Sequence, residues 1–275
     1  GAGYTDTTHT QGGIALLFDA SLSGSHTDAS ADARIEGDAL GQHLGSTVSM
    51  GDVNGDGVSD VLVGGDGEGA HEPWASTAAI FLGPVTGTVS VAEGDERWNS
   101  EAPLDLLGNQ VATGSDMNGD GHDDLAIAAY WESTAAERAG AVYILLGGPT
   151  GPGPLSEAHA IIRGVHDYAY AGISIAWLDD ASGDGLADLL VGEYGRRSDA
   201  DPEAPPVGAA HIFTGIVSGT YATSEATMTL EGPSPGSAFG YWVSGLHDID
   251  GDGLNDLAIG AFQADSELGE VHLLS

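Results

Sequence analysis

Apolar residues in this chain come in short runs bounded by glycine and by Asp-rich turns. The sharpest are residues 61–63, 125–127, 189–191 and 257–259, each too short for a helix and apolar throughout. Such runs predict strands buried on both faces. A Gly-led segment precedes each, at 44–50, 107–113, 171–177 and 239–245, whose alternation and small residues suit a narrow inner strand. A third strand is expected at 78–82, 141–146, 209–213 and 270–274, and a fourth at 32–37, 159–164 and 227–232, less clearly around Arg97 and Trp98. Residues 13–18 match the third-strand pattern, so the chain reads as starting in mid-unit. No stretch has a convincing helical period.

Between the first and second strands of every unit lies the same acidic loop. The copies hold Asp52, Asn54, Asp56 and Asp60; Asp116, Asn118, Asp120 and Asp124; Asp180, Ser182, Asp184 and Asp188; and Asp248, Asp250, Asp252 and Asp256. Oxygen side chains at positions 1, 3, 5 and 9, with glycines at 4 and 6 to turn the backbone, are what a calcium ion needs from a short loop. An EF-hand would close on Glu at position 12 and continue as helix. Position 12 is Val63, Ile127, Val191 or Ile259, which excludes it. Four matches in register argue against ordinary Asp-Asn-Gly turns. Ser182 predicts the weakest site and Asp250 the most acidic.

The loops recur every 64 to 68 residues, the mark of a repeat architecture. Four antiparallel strands per unit predict an all-β fold, a β-propeller of four-stranded blades, about four of them in this chain. We expect one domain over 1–275, with units near 38–98, 99–164, 165–232 and 233–275, plus N-terminal strands in 12–37. The ends permit a self-closed ring, a homodimer or strand-exchanged assembly, or a segment of a longer propeller.

The inner strand beginning Phe239-Gly240, the calcium loop and the following apolar strand together resemble the FG-GAP repeat of integrin α-subunit propellers and their bacterial relatives. The resemblance runs from Gly12 to Leu274. It implies side-chain ligands at positions 1, 3, 5 and 9 and a main-chain carbonyl at position 7, here Val58, His122, Leu186 and Leu254. It also implies up to four Ca²⁺ ions. Two departures stand out. The Pro of Gly-Ala-Pro is replaced, in 64–66, 128–130, 192–194 and 260–262, and integrin propellers have seven blades against four loops here.

Charge narrows the partners. Forty-two acids face six bases, all Arg, for a formal charge of −36. Such a field opposes nucleic acid and anionic surfaces, and no apolar stretch is long enough to insert in a membrane. There is no Cys to report the redox compartment. Loops of this kind bind calcium at about 0.1–1 mM, which predicts an extracellular or cell-surface setting. No catalytic residue is expected. The Gly-x-Ser-x-Gly match around Ser234 is flanked by two prolines and lacks the strand-to-helix turn that chemistry needs. His211 and His272 sit at matching third-strand positions and suit packing better than metal. The connections between second and third strands vary most and carry Trp74, Trp131, Arg138 and the Arg196-Arg197 pair, which predicts recognition of a protein or glycan there. The expected role is therefore a calcium-binding scaffold or adhesion-like module, not an enzyme. The alternative is the non-catalytic propeller region of a larger secreted enzyme or adhesin.

Overall fold

The computed structural model describes all residues except 4, 7–9, 19–22, 68–75, 101–104, 198–203, 217, 265–267 and 275. The fold is all-β, with nineteen strands and four single 3₁₀ turns among the described residues. Three sheets repeat one order of four antiparallel strands. The first runs β3 (Thr47–Gly51), β4 (Asp60–Gly65), β5 (Thr77–Phe81), β7 (Glu96–Asn99). The second runs β8 (Leu107–Ser115), β9 (Asp124–Ala129), β10 (Ala141–Leu145), β11 (Ala160–Arg163). The third runs β12 (Ile175–Leu178), β13 (Asp188–Glu193), β14 (Ala209–Phe213), β16 (Met228–Glu231). Before them, β1 (Ile14–Leu17) pairs with β2 (Ala33–Glu36); after them come β17 (Phe239–Gly245), β18 (Leu257–Ala261) and β19 (Glu270–Leu274).

Burial explains the sequence pattern. The central strands β4, β5, β9, β10, β13 and β14 are buried at every residue. Each is covered by a neighbouring sheet on both faces, so alternation would leave polar groups inside. Four core clusters join the five sheets in chain order: Ile35, Leu44 and Val63 between the first two; Leu62, Leu125 and Ile127 next; then Ile144, Ile162 and Leu189; finally Leu190, Phe239 and Ile259. No cluster and no strand pair joins the last sheet to the first among the described residues.

The inner strands β3, β8, β12 and β17 pack side by side. Small residues let them approach closely: Ser49 Oγ accepts from Thr113 N–H at 3.0 Å, and Ser174 Oγ from Val243 N–H at 3.1 Å. The Gly at the start of each inner segment is required twice over. Gly45, Gly108, Gly172 and Gly240 have φ of 82 to 85°. A Cβ on Gly240 would also lie 2.0 Å from the Ala209 carbonyl of the preceding sheet.

Two strands were not legible in the sequence. β6 (Gly87–Ser90) and β15 (Gly219–Ala222) lie in connections between third and fourth strands, and each reaches back to pair in parallel with the outer strand of the sheet before it, β2 and β11 respectively. The equivalent segment in the second sheet carries Pro149, Pro152 and Pro154, which lack the N–H for a ladder. It docks instead through Trp98 Nε1, which donates to the Gly153 carbonyl at 3.1 Å.

Candidate metal loops and recognition rim

Each acidic loop leaves an inner strand and enters a buried one, so its two ends are fixed by sheet pairing. Within it the hydrogen bonds are nearly the same in all four copies. The position 1 carboxylate accepts N–H bonds from positions 5 and 6: Asp52 from Asp56 and Gly57, Asp116 from Asp120 and Gly121, Asp180 from Asp184 and Gly185, Asp248 from Asp252 and Gly253. Position 5 accepts from the position 7 amide, so Asp56, Asp120, Asp184 and Asp252 fix Val58, His122, Leu186 and Leu254. Position 9 accepts from position 2, as Asp60, Asp124, Asp188 and Asp256 do from Val53, Met117, Ala181 and Ile249. Glycines at positions 4 and 6 have positive φ in every loop, for example 72° at Gly55 and 85° at Gly57.

The loops also differ. Asn54, Asn118 and Asp250 each accept the position 5 amide through Oδ1, at 3.0, 2.9 and 3.1 Å. Ser182 is too short for that bond and hydrogen-bonds Asp180 instead. Asp60 and Asp124 use Oδ1 to accept from Gly83 and Gly147 at 2.7 and 2.9 Å, whereas Asp188 Oδ1 is buried with no partner among the described residues. In the fourth loop, oxygens of Asp248, Asp250 and Asp256 lie within 4.8 Å of one another.

The electrostatics fit a cation. Burial pushes the Asp124 carboxyl up to about 6, helped by the charges of Asp116 and Asp120 and opposed by N–H bonds from Gly147 and Met117. Asp188 is raised for the same first reason, with Asp184 and Asp180 adding to it. Asp248, fully exposed, is lowered by N–H bonds from Gly251 and Gly253. Buried carboxylates that repel one another, and an orphaned carboxylate oxygen, are what a divalent ion relieves. The hard oxygen donor set suits Ca²⁺ better than a transition metal.

The opposite rim is built by antiparallel geometry, from the starts of first strands and the ends of second strands. Here aromatic rings form one arc. Tyr130 meets Trp131 and Tyr170, Tyr170 stacks on Tyr194 at 5.0 Å, Tyr194 meets Tyr241 at 5.2 Å, and Tyr241 meets Phe262 at 4.7 Å. The Arg138 guanidinium sits 4.0 Å above the Trp131 ring and 5.9 Å from the Tyr168 ring. Tyr168, Trp242 and Phe262 are exposed. A cavity of about 140 Å³ opens beside Asp66, Tyr130, Tyr241 and Trp242.

The arc has a source the sequence reading missed. Tyr130, Tyr194 and Phe262 occupy the place of the missing Pro in the three later units, and Asp66 occupies it in the first, where it bonds His43 Nδ1 at 2.9 Å. Of the residues expected to recognise a partner, Trp131 and Arg138 lie in the arc. Arg196 does not serve as an exposed cation: it is 6% exposed and pairs with Glu231 at 3.4 Å. Arg197 donates to the Ala204 carbonyl, and Trp74 lies outside the described residues. His211 is fully buried between Glu193 Oε2, at 2.6 Å, and Thr229 Oγ1, at 3.0 Å, so it packs and pairs as expected of a core histidine.

A family profile described as FG-GAP repeat matches residues 44–91, 107–145 and 239–274. The third loop falls outside those ranges, although its sheet has the same strand order. Integrin alpha-IIb of Homo sapiens is 31% identical over 229 residues, covering 81% of this chain and 20% of the relative. Integrin alpha-PS2 of Drosophila melanogaster is 31% identical over 241 residues, covering 81% and 15%, and integrin alpha-4 of Xenopus laevis 35% over 156, covering 55% and 14%. The chain thus spans about a fifth or less of the length of these relatives. No helix among the described residues is long and apolar enough to cross a membrane. Repeated sheets, glycine-led inner strands and these matches agree: the chain carries FG-GAP repeats over the matched residues and is similar to integrin α-subunits over most of its length.

Proposed function

We propose that this chain is a calcium-stabilised, extracellular ligand-binding module of the adhesion type, a propeller segment with units near 38–98, 99–164, 165–232 and 233–275. Calcium at the four loops is structural, and recognition belongs to the opposite rim. The observation that carries the reading is the aromatic arc from Trp131 to Phe262, laid across the ends of three successive sheets, with Tyr168, Trp242 and Phe262 exposed along it. Rigid aromatic rings with a polar edge supply much contact area at small entropic cost, which is why they anchor interfaces. The ligand is a protein or a glycan. Because the chain spans a fifth or less of relatives whose printed names are integrin α-subunits, a second reading places it as the propeller region of a longer secreted adhesin or enzyme.

The test is binding of the purified chain, in millimolar calcium, to an immobilised panel of extracellular-matrix proteins and neutral glycans. Tyr170→Ala with Tyr194→Ala is expected to weaken any specific binding at least tenfold. Undiminished binding by that variant would place recognition elsewhere.

A further inference from the structure

The metal loops of neighbouring sheets touch, and they do not touch equally. At the first junction Asp123, between positions 7 and 9 of the second loop, holds the first residue of the first loop. Its Oδ2 accepts from Asp52 N–H at 2.7 Å, and its own N–H donates to the Asp52 carbonyl at 3.0 Å. Gly148 N–H adds a bond to the Val53 carbonyl at 2.8 Å. The His122 ring lies over the apex of the first loop, where a Cβ on Gly55 would be 2.9 Å from Cδ2 and Nε2. The same ring faces Asp120 Oδ1 through Nδ1 at 3.1 Å. One tripeptide, 122–124, therefore supplies the carbonyl and carboxylate of one loop and clamps the peptide of the next.

The second junction keeps less. Ala187 stands where Asp123 stood, leaving the backbone bond to the Asp116 carbonyl at 3.3 Å, and Leu186 packs over Gly119. At the third, Leu254 approaches Gly183, where a Cβ would be 3.8 Å away, and no loop-to-loop hydrogen bond is recorded among the described residues.

Resting on the calcium reading above, we propose that the first two loops form a coupled metal pair, with Asp123 as the positioning residue that transmits occupancy of the second loop to the first. Fixing positions 7 and 9 of the second loop fixes Asp123 between them. That orders the Asp52 peptide, so the first loop loses less freedom when it is filled. Coupling of this kind is reciprocal and falls typically between about 5- and 150-fold in affinity. The later junctions lack the carboxylate clamp and couple weakly.

Hydrogen exchange of amides 53–58 against free calcium reads occupancy of the first loop, and protection of β9 and β10 monitors the fold of each variant. Asp120→Ala, which disables the second loop, is expected to raise the midpoint of the first loop at least fivefold, and Asp123→Ala to do the same. Asp184→Ala, at the third loop, leaves it in place. Ala187→Asp is expected to bring the second and third loops into the same dependence. A first-loop midpoint unmoved by both Asp120→Ala and Asp123→Ala would overturn the coupling while leaving the calcium reading intact. No calcium response in any loop would overturn the calcium reading itself, and the coupling with it.

Discussion

Single residues set the electrostatic character of the loops. The ordinary carboxyl value of Asp is 3.8, and Asp124 is raised to about 6 by burial and by its neighbours Asp116 and Asp120. A raised carboxyl binds its proton more tightly in the fold than in the unfolded chain, so its contribution is complete below about 3.8 and lost as pH rises through about 6. With calcium chelated, the midpoint of thermal unfolding should fall between pH 4 and 6.5. With calcium in excess the fall should vanish or reverse, because loading requires the ionised carboxylate. A fall of equal size under both conditions would rule out Asp124 as a metal-linked group. Ser182 makes a second prediction: Ser182→Asn restores the missing acceptor for Asp184 N–H and should tighten calcium at the third loop severalfold, read by calorimetric titration. His211 makes a third. His211→Ala would take the ring partner from the buried Glu193 carboxyl group, and leaving a buried polar group without its partner costs about 1–3 kcal/mol. Denaturant unfolding would show it, and a loss under 1 kcal/mol would mean that water replaces the ring.

At the level of elements, the buried strands were legible because a strand covered on both faces carries an unbroken apolar run. Their predicted and observed bounds differ by a residue or two, as 61–63 widens to β4 and 125–127 to β9. β6 and β15 were not legible. Their residues, Gly-Thr-Val-Ser and Gly-Thr-Tyr-Ala, are half-exposed and polar enough to read as loop, and only the outer strand of another sheet makes them strands. Tyr221→Pro, which removes a donor in β15, is expected to lower hydrogen-exchange protection of the facing strand β11 while β8 to β10 stay protected. Unchanged protection in β11 would mean that the parallel clasp contributes nothing to it.

Across the molecule, the core clusters of the described residues link neighbouring sheets. Each core cluster joins two adjacent sheets, so the energetics approach a sum of units and interfaces. Among the described residues the last sheet has three strands and presents Trp242, Val271 and Leu273 at 59%, 71% and 62% exposure. It should open first on heating, seen as early exchange in β18 and β19 ahead of β9 and β13; simultaneous exchange would indicate a cooperative whole. Calcium should raise the unfolding free energy by about 1.4 kcal/mol per filled loop at tenfold excess over Kd, a shift that chelator removes.

The sequence by itself determined the repeated strands, the repeat and the acidic loops, because each depends on residues close together in the chain: an apolar run, a glycine next to an aspartate, a carboxylate eight positions from its partner. Even the departure from Gly-Ala-Pro was visible in it. Only the tertiary structure decided what those residues do together. It stacked Tyr170 on Tyr194 and turned three replaced prolines into one aromatic arc. It buried Arg196, set Asp123 against Asp52 across 71 residues of chain, and folded β15 back onto the preceding sheet. Such contacts join separate sheets, and their geometry comes from how the sheets pack, which no local spacing encodes.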